Sequence, residues 1–297
     1  MNRNSAGAPA LGPIVCVTFT APDLDVVTDC YGRYLGYRTV ETGRIDPSLA
    51  TAFGASAIAH RPYRLLAPEG ADDVFFRAIE GPEHADYVPF ATHGWNAAEL
   101  MVRNVDALAE RLTGSPFRII GEPQDLSFSP DIRAMQVIGP GQELLYLTEF
   151  KRTIPGLDVP VPRCDVDQTF IVILGGPSMD ALQEFYASKF AVPHAEPVQS
   201  RVKGMSAAFG LPAETRYPIA ALPLAGQCLI EVDQMPPLAV PRPVGNGELP
   251  AGISVVSFAG HARGHEPVAA AGKLYAPGNR STVLKGCAGE ILELLDR

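Results

Sequence analysis

The stretch Gly139-Pro140-Gly141-Gln142-Glu143-Leu144-Leu145-Tyr146-Leu147-Thr148-Glu149 is written a second time as Gly286-Cys287-Ala288-Gly289-Glu290-Ile291-Leu292-Glu293-Leu294-Leu295-Asp296. Each copy is a turn of small residues running into an alternating apolar strand, the pattern of a strand that closes a sheet. The copies differ sharply in chemistry at one position, Tyr146 in the first against Glu293 in the second.

Upstream of each closing strand the same order of elements is expected. Residues 14–20 alternate β-formers and read as a strand. Asp23 then caps a helix with Leu24, Val27, Tyr31 and Leu35 at helical spacing, which Gly36 ends. Strands are expected near 38–42, 63–67 and 74–79, giving a β-α-β-β-β unit. A second unit has its strand at 96–102, a helix capped by Asn104, and strands near 118–120, 132–138 and 143–150. The third opens at 168–174, with Ser178 capping a helix that carries Met179, Leu182, Tyr186 and Phe190. Asp29-Cys30-Tyr31 aligns with Glu184-Phe185-Tyr186, and Thr51-Ala52-Phe53-Gly54 with Ala207-Ala208-Phe209-Gly210, a repeat of about 155 residues. The fourth unit begins at 253–258, but Gly260-His261-Ala262-Arg263-Gly264 is poor helix material, so this unit is read as degenerate. The Pro-rich segment 157–162 is the expected linker between halves 12–150 and 165–297, each of two units.

The chain has 297 residues, of which 46% are hydrophobic, enough to supply a core for each half. A formal charge of −9 with no basic stretch argues against a nucleic-acid partner. No apolar run is long enough for a membrane span, and the N-terminus lacks a basic region followed by an apolar one. The five cysteines are scattered without CxxC spacing and read as reduced thiols. A cytoplasmic protein is the expectation.

The Pro22-to-Tyr37 run (Pro-Asp-Leu, Tyr, Leu-Gly-Tyr) and the G-x-x-L-x-L closing strands resemble the vicinal oxygen chelate superfamily. That superfamily includes glyoxalase I, fosfomycin and bleomycin resistance proteins, and extradiol dioxygenases. The resemblance covers nearly the whole chain after residue 12. It implies an α+β fold of four βαβββ modules paired into two cup-shaped mixed β-sheet domains, the last module degenerate. It also implies metal ligands, typically His on a unit's first strand and Glu on its last. The first-strand positions here are approximately Cys16, Ala97, Ile171 and Ser254, and none is histidine. The last-strand positions are Arg77, Tyr146, Glu231 and Glu293. All six histidines (60, 84, 93, 194, 261, 265) fall in loops or connectors, and the His261/His265 pair lacks the Glu of a helical metal motif. A two-His, one-carboxylate site cannot be assembled from these strands, so no metal and no cofactor are expected.

Two constellations remain. In the first half, Trp95, Ala97, Glu99 and Met101 share a strand face by period-two alternation. Glu99 is the expected base, Tyr146 the proton donor or oxyanion partner, and Arg77 an anion clamp. Trp95, Gln136, Cys16 and Met101 are the expected substrate contacts, with two bland alternatives open: an Arg77–Glu99 ion bridge, and Cys16 as core. In the second half, Glu231 and Glu293 are secondary candidates, as an acid/base pair, as ligands of an oxygen-loving ion, or as relics. The function expected is an enzyme acting on a small oxygenated compound, aromatic ones included, by isomerase or lyase-type acid–base chemistry. A resistance-type binding protein and an extradiol-type dioxygenase with a non-standard metal site are the alternatives. A small-molecule ligand is the expected partner, and a homodimer is compatible with this reading.

Overall fold

Asp23, Asn104 and Ser178 each turn an extended strand into a helix. The Asp23 carboxylate accepts the Asp25 and Val26 N–H groups, Asn104 accepts that of Ala107, and Ser178 that of Ala181. The computed structural model describes residues 10–127, 129–261, 266–275 and 280–296. The first unit comprises β1 (Leu11–Ala21), α1 (Leu24–Cys30) with a π turn over Tyr31–Leu35, β2 (Tyr37–Arg44), α2 (Pro47–Ala52), β3 (Pro62–Pro68) and β4 (Phe75–Glu80). The second comprises β5 (Gly94–Val102), α3 (Val105–Leu112), β6 (Arg118–Leu126), β7 (Ser129–Ile138) and β8 (Leu144–Phe150). The third comprises β9 (Val166–Gly176), α4 (Met179–Phe190), β10 (Val198–Arg201), α5 (Lys203–Ala208), β11 (Arg216–Pro223) and β12 (Leu229–Gln234). The fourth comprises β13 (Ile253–Gly260), β14 (Val268–Ala269), β15 (Arg280–Lys285) and β16 (Ile291–Leu295). Among the described residues it has no helix; residues 262–265, which include part of the stretch read as helix-poor and His265, lie outside them.

The strands form two curled eight-stranded mixed sheets. The first runs β14-β15-β16-β13-β1-β4-β3-β2, and the second runs β10-β11-β12-β9-β5-β8-β7-β6. Unit one therefore shares a sheet with unit four, and unit two with unit three. This corrects the expected pairing of consecutive units within 12–150 and within 165–297. Alternation states which face of a strand is buried, but both pairings satisfy it equally, because neither changes the faces. The seams are antiparallel, β1 against β13 and β5 against β9.

One face of each sheet contributes to a continuous core with α1, α3 and α4, where Phe19, Phe76, Leu145, Val172, Phe258 and Leu292 meet. The opposite face of the first sheet packs on α2, and that of the second on α5. These opposite faces are the two cups. No described helix is long and apolar enough to cross a membrane.

The repeated closing turn has a repeated reason. Tyr31 Oη donates to Glu143 Oε1 at 2.8 Å, and the Gly141 N–H donates to Oε2 at 2.8 Å. In the other half, Tyr186 Oη donates to Glu290 Oε1 at 3.2 Å, and the Ala288 N–H to Oε2 at 2.8 Å. Tyr31 and Tyr186 thus occupy equivalent environments, as the repeat predicts. The glycine opening each turn leaves room for this, because a Cβ on Gly139 or Gly286 would stand 1.8 Å from the folded-back carboxylate and push it off these bonds.

Candidate functional site

The crossed pairing redistributes the expected residues between the two cups. Across the parallel β5/β8 ladder Glu99 stands beside Tyr146, and across β7/β8 Gln136 stands beside Tyr146. Glu231 joins them: it is the ladder partner of Ile173 on β9, and Ile173 is the partner of Ala97 on β5. Two residues beyond Glu231, and so on the same face, lies Asp233. The second cup therefore holds Glu99, Gln136, Tyr146, Glu231 and Asp233. Glu99, Gln136, Tyr146, Ile171 and Glu231 keep part of their surface accessible, as expected of groups facing an open hollow. Apolar walls come from Phe90, which meets the Tyr146 ring edge-on at 6.4 Å, and from Phe209 and Leu211.

Four expected members do not line this cup. Arg77 lies in the first sheet, where its Nη2 donates to Glu293 Oε2 at 2.9 Å. Neither the Arg77–Glu99–Tyr146 cluster, nor the Arg77–Glu99 bridge, nor a joint Glu231/Glu293 site forms, because pairing by sheet places these residues in different cups. Trp95 turns away from the Glu99 face, because a bulge between Trp95 and Ala97 breaks the alternation. Its indole N–H donates to the Ile291 carbonyl at 2.9 Å, and its ring packs on Phe258 in the core between the sheets. Cys16 is buried in the first sheet among Ile45, Leu49 and Tyr63, so it is core and not a contact of the Glu99 cup. Met101 stays level with Thr148 on β8 but is completely buried, so it packs the strand end and reaches no ligand space.

The electrostatics of the two cups are opposite. In the second, burial raises the Glu99 carboxyl to about 7, against the smaller opposing effect of the Thr148 hydroxyl. Burial, then Asp233 and Glu99, push the Glu231 carboxyl up. Burial also raises Asp233, whose Oδ1 has no hydrogen-bond partner among the described residues. The Tyr146 phenol is raised by burial and then by Glu231, Asp233 and Glu99. These carboxyls hold protons near neutral pH, and such groups in a hollow are suited to proton transfer. In the first cup Glu293 accepts four donors: Arg77, Ser257 Oγ at 2.6 Å, Tyr275 Oη at 2.9 Å and Ser281 Oγ at 3.1 Å. A carboxylate offers about four acceptor sites, so this one is fully committed to its neighbours.

The site reading missed Asp233, although period-two spacing from Glu231 points to it. It also missed Ser257, Tyr275 and Ser281, whose convergence on Glu293 depends on strand pairing that no local pattern reports.

No protein-family model and no curated protein matches the chain. Among solved structures, glyoxalase I from Zea mays is similar at a TM-score of 0.61 with 14% identity, over 95% of this chain and 92% of that one. A glutamate-to-glutamine mutant of the same maize enzyme is similar at 0.59 with 15% identity, over 97% and 94%. A putative dioxygenase from Bacillus subtilis subsp. subtilis str. 168 is similar at 0.59 with 12% identity, over 97% and 86%. Likenesses of this kind show the fold, and the fold is that of the vicinal oxygen chelate proteins, in its two-domain form.

Proposed function

We propose that the chain is a small-molecule enzyme whose second cup moves a proton on a carbon next to a carbonyl, in isomerisation or lyase-type cleavage. One observation carries this reading: Glu99 and Tyr146 are direct ladder partners on the same face of the sheet, with the Glu99 carboxyl poised at about 7. A general base is most effective when its pKa lies near the working pH. Glu99 in its ionised form takes the proton from carbon. Tyr146, whose phenol stays protonated, donates a hydrogen bond to the oxygen that gains charge. Glu231, held protonated, returns a proton to the intermediate. Phe90 and Phe209 flank the apolar body of the substrate.

The fold family implies a divalent metal in such a cup, and the donor sets do not match a His-and-carboxylate site. The first cup carries the Arg77 guanidinium at a ligand position, already paired to Glu293. The second offers carboxyls and a phenol without imidazole, which discriminate poorly among first-row metals. Purified protein is therefore expected to hold iron, zinc and manganese well below one per chain, and its activity to survive a chelator. A tightly bound stoichiometric transition metal, seen by elemental analysis after dialysis, would overturn this.

The proton-transfer reading is tested by solvent exchange. In D₂O, a panel of small hydroxy-carbonyl and aryl ketone compounds is followed by NMR for deuterium entering the carbon next to the carbonyl. Exchange is expected with the native protein and about 10²-fold or more slower with Glu99→Gln. Tyr146→Phe is expected to slow it about 10²–10³-fold with its fold intact. Full exchange in both variants would remove the second cup as the active site.

A further inference from the structure

The first cup, whose carboxylate is saturated, still encloses space. Over Arg77 lies a cavity of about 220 Å³, with Arg44, Asp46 and His60 among its lining residues. Its apolar walls are Ile45, Leu49, Leu65 and Leu274, with Tyr63, Tyr275 and Glu41 between them. A dry cavity of about 150 Å³ holds a benzene ring, so this one accommodates a single ring with a small substituent.

The polar groups define the substituent. Arg77 donates to Thr18 Oγ1 at 3.0 Å, Tyr275 Oη at 2.8 Å and Glu293 at 2.9 Å. A guanidinium has five N–H groups, so these bonds leave donor capacity on a residue that lines the cavity. The Glu41 carboxylate takes the Tyr63 hydroxyl and the Lys273 N–H. A ligand anion would meet Glu41, with Glu293 behind Arg77, and a ligand cation would meet Arg77 itself. A neutral acceptor oxygen meets neither penalty. Glu293 does not serve as a base, being spent on four donors, and Glu41 is already held by the Tyr63 hydroxyl and the Lys273 N–H.

We propose that the cavity over Arg77 and Glu293 is a second small-molecule site, which binds a neutral single-ring compound through an acceptor oxygen and releases it unchanged. It stands apart from the Glu99 cup, in the other sheet, and does not rest on the chemistry proposed there.

Three probes of nearly equal size and shape separate the outcomes: acetophenone, benzoate and benzylammonium. With methyl-labelled native protein, acetophenone is expected to shift the Ile45, Leu49 and Leu65 resonances with a Kd of about 1 mM or tighter. Benzoate and benzylammonium should bind at least about fivefold more weakly, an energy gap of roughly 1 kcal/mol. The same shifts should persist in Glu99→Gln, which separates this site from the second cup. Leu49→Phe, which fills the cavity, should weaken acetophenone at least about tenfold at Ile45 and Leu65. The proposal is overturned if acetophenone moves none of these methyls in the native protein. It is equally overturned if its shifts fall only on Ile171, Ile173 and Ile219 of the second sheet, or if benzoate binds most tightly.

Discussion

Glu293→Ala is expected to lower the free energy of unfolding by about 3–5 kcal/mol, because it strands a buried guanidinium. The Arg77 and Glu293 side chains are 2% and 0% exposed, and their 2.9 Å contact joins the last strands of units one and four. Burial is the largest single effect and disfavours a charged Arg77, but the Glu293 carboxylate, with smaller help from Tyr275 and Cys16, more than offsets it, so the guanidinium stays charged. With Glu293 gone, Arg77 keeps, among the described residues, the Thr18 and Tyr275 hydroxyls and the Phe53 ring at 5.4 Å. Those supply hydrogen bonds but no counter-charge. Arg77→Met should cost a comparable amount, now by stranding the carboxylate. The double variant Arg77→Met/Glu293→Met is the informative one. Apolar groups of similar length need no desolvation, so it should recover most of the loss. Urea unfolding with an unchanged m-value reads all three. A single-variant loss below about 1 kcal/mol, the range of an exposed pair, would mean that this one does not hold the first sheet together.

That Arg77 and Glu293 meet at all marks where local reading of the chain stops. Local signals are decisive wherever a residue answers to its near neighbours. Asp23, Asn104 and Ser178 announce helix starts because each satisfies N–H groups two or three residues ahead. The closing turns announce themselves because Gly139 and Gly286 leave room for a carboxylate four residues on. The Glu99–Tyr146 partnership was legible for the same reason: both lie in one unit, on strands whose alternation is regular there. Edge choice is different in kind. Whether β1 lies against β13 or another strand changes no periodicity, yet it decides that Arg77 finds a partner 216 residues away. Trp95 illustrates a second limit. One inserted residue in the β5/β9 ladder turns the indole from cup to core, and β-bulges have no strong signature in a run such as Gly94-Trp95-Asn96-Ala97.

Thermal stability is expected to fall as pH rises from about 5 to 8, because the closing turns and the second cup both bury carboxyls that stay protonated in the folded chain. Burial lifts the carboxyls of Glu143 and Glu290 to about 7 each, although the backbone and tyrosine donors pull the other way. In the unfolded chain both titrate near the ordinary glutamate value of about 4.3. Below that value each is protonated in both states, and the contribution of the neutral, buried acid is fully present. Between the unfolded value and about 7 the unfolded chain releases its protons while the folded chain retains them, so stability declines with pH. Above about 7 the loss is complete and the profile flattens. The shift corresponds to at most about 4 kcal/mol per turn. Glu99, Glu231 and Asp233, raised by the same cause, add in the same direction. The isosteric Glu143→Gln isolates one turn. Like a protonated acid, its amide accepts the Gly141 N–H on one side and donates to the Tyr31 oxygen on the other, reversing the donation that the ionised carboxylate receives from Tyr31, and it never ionises. The variant should therefore unfold close to the native temperature at pH ~5 and above it at pH ~8, with Glu290→Gln behaving alike and the double variant showing the flattest profile. Calorimetry across that range decides the matter: a native profile that is flat or rises with pH would mean that these two carboxyls are ionised in the folded chain.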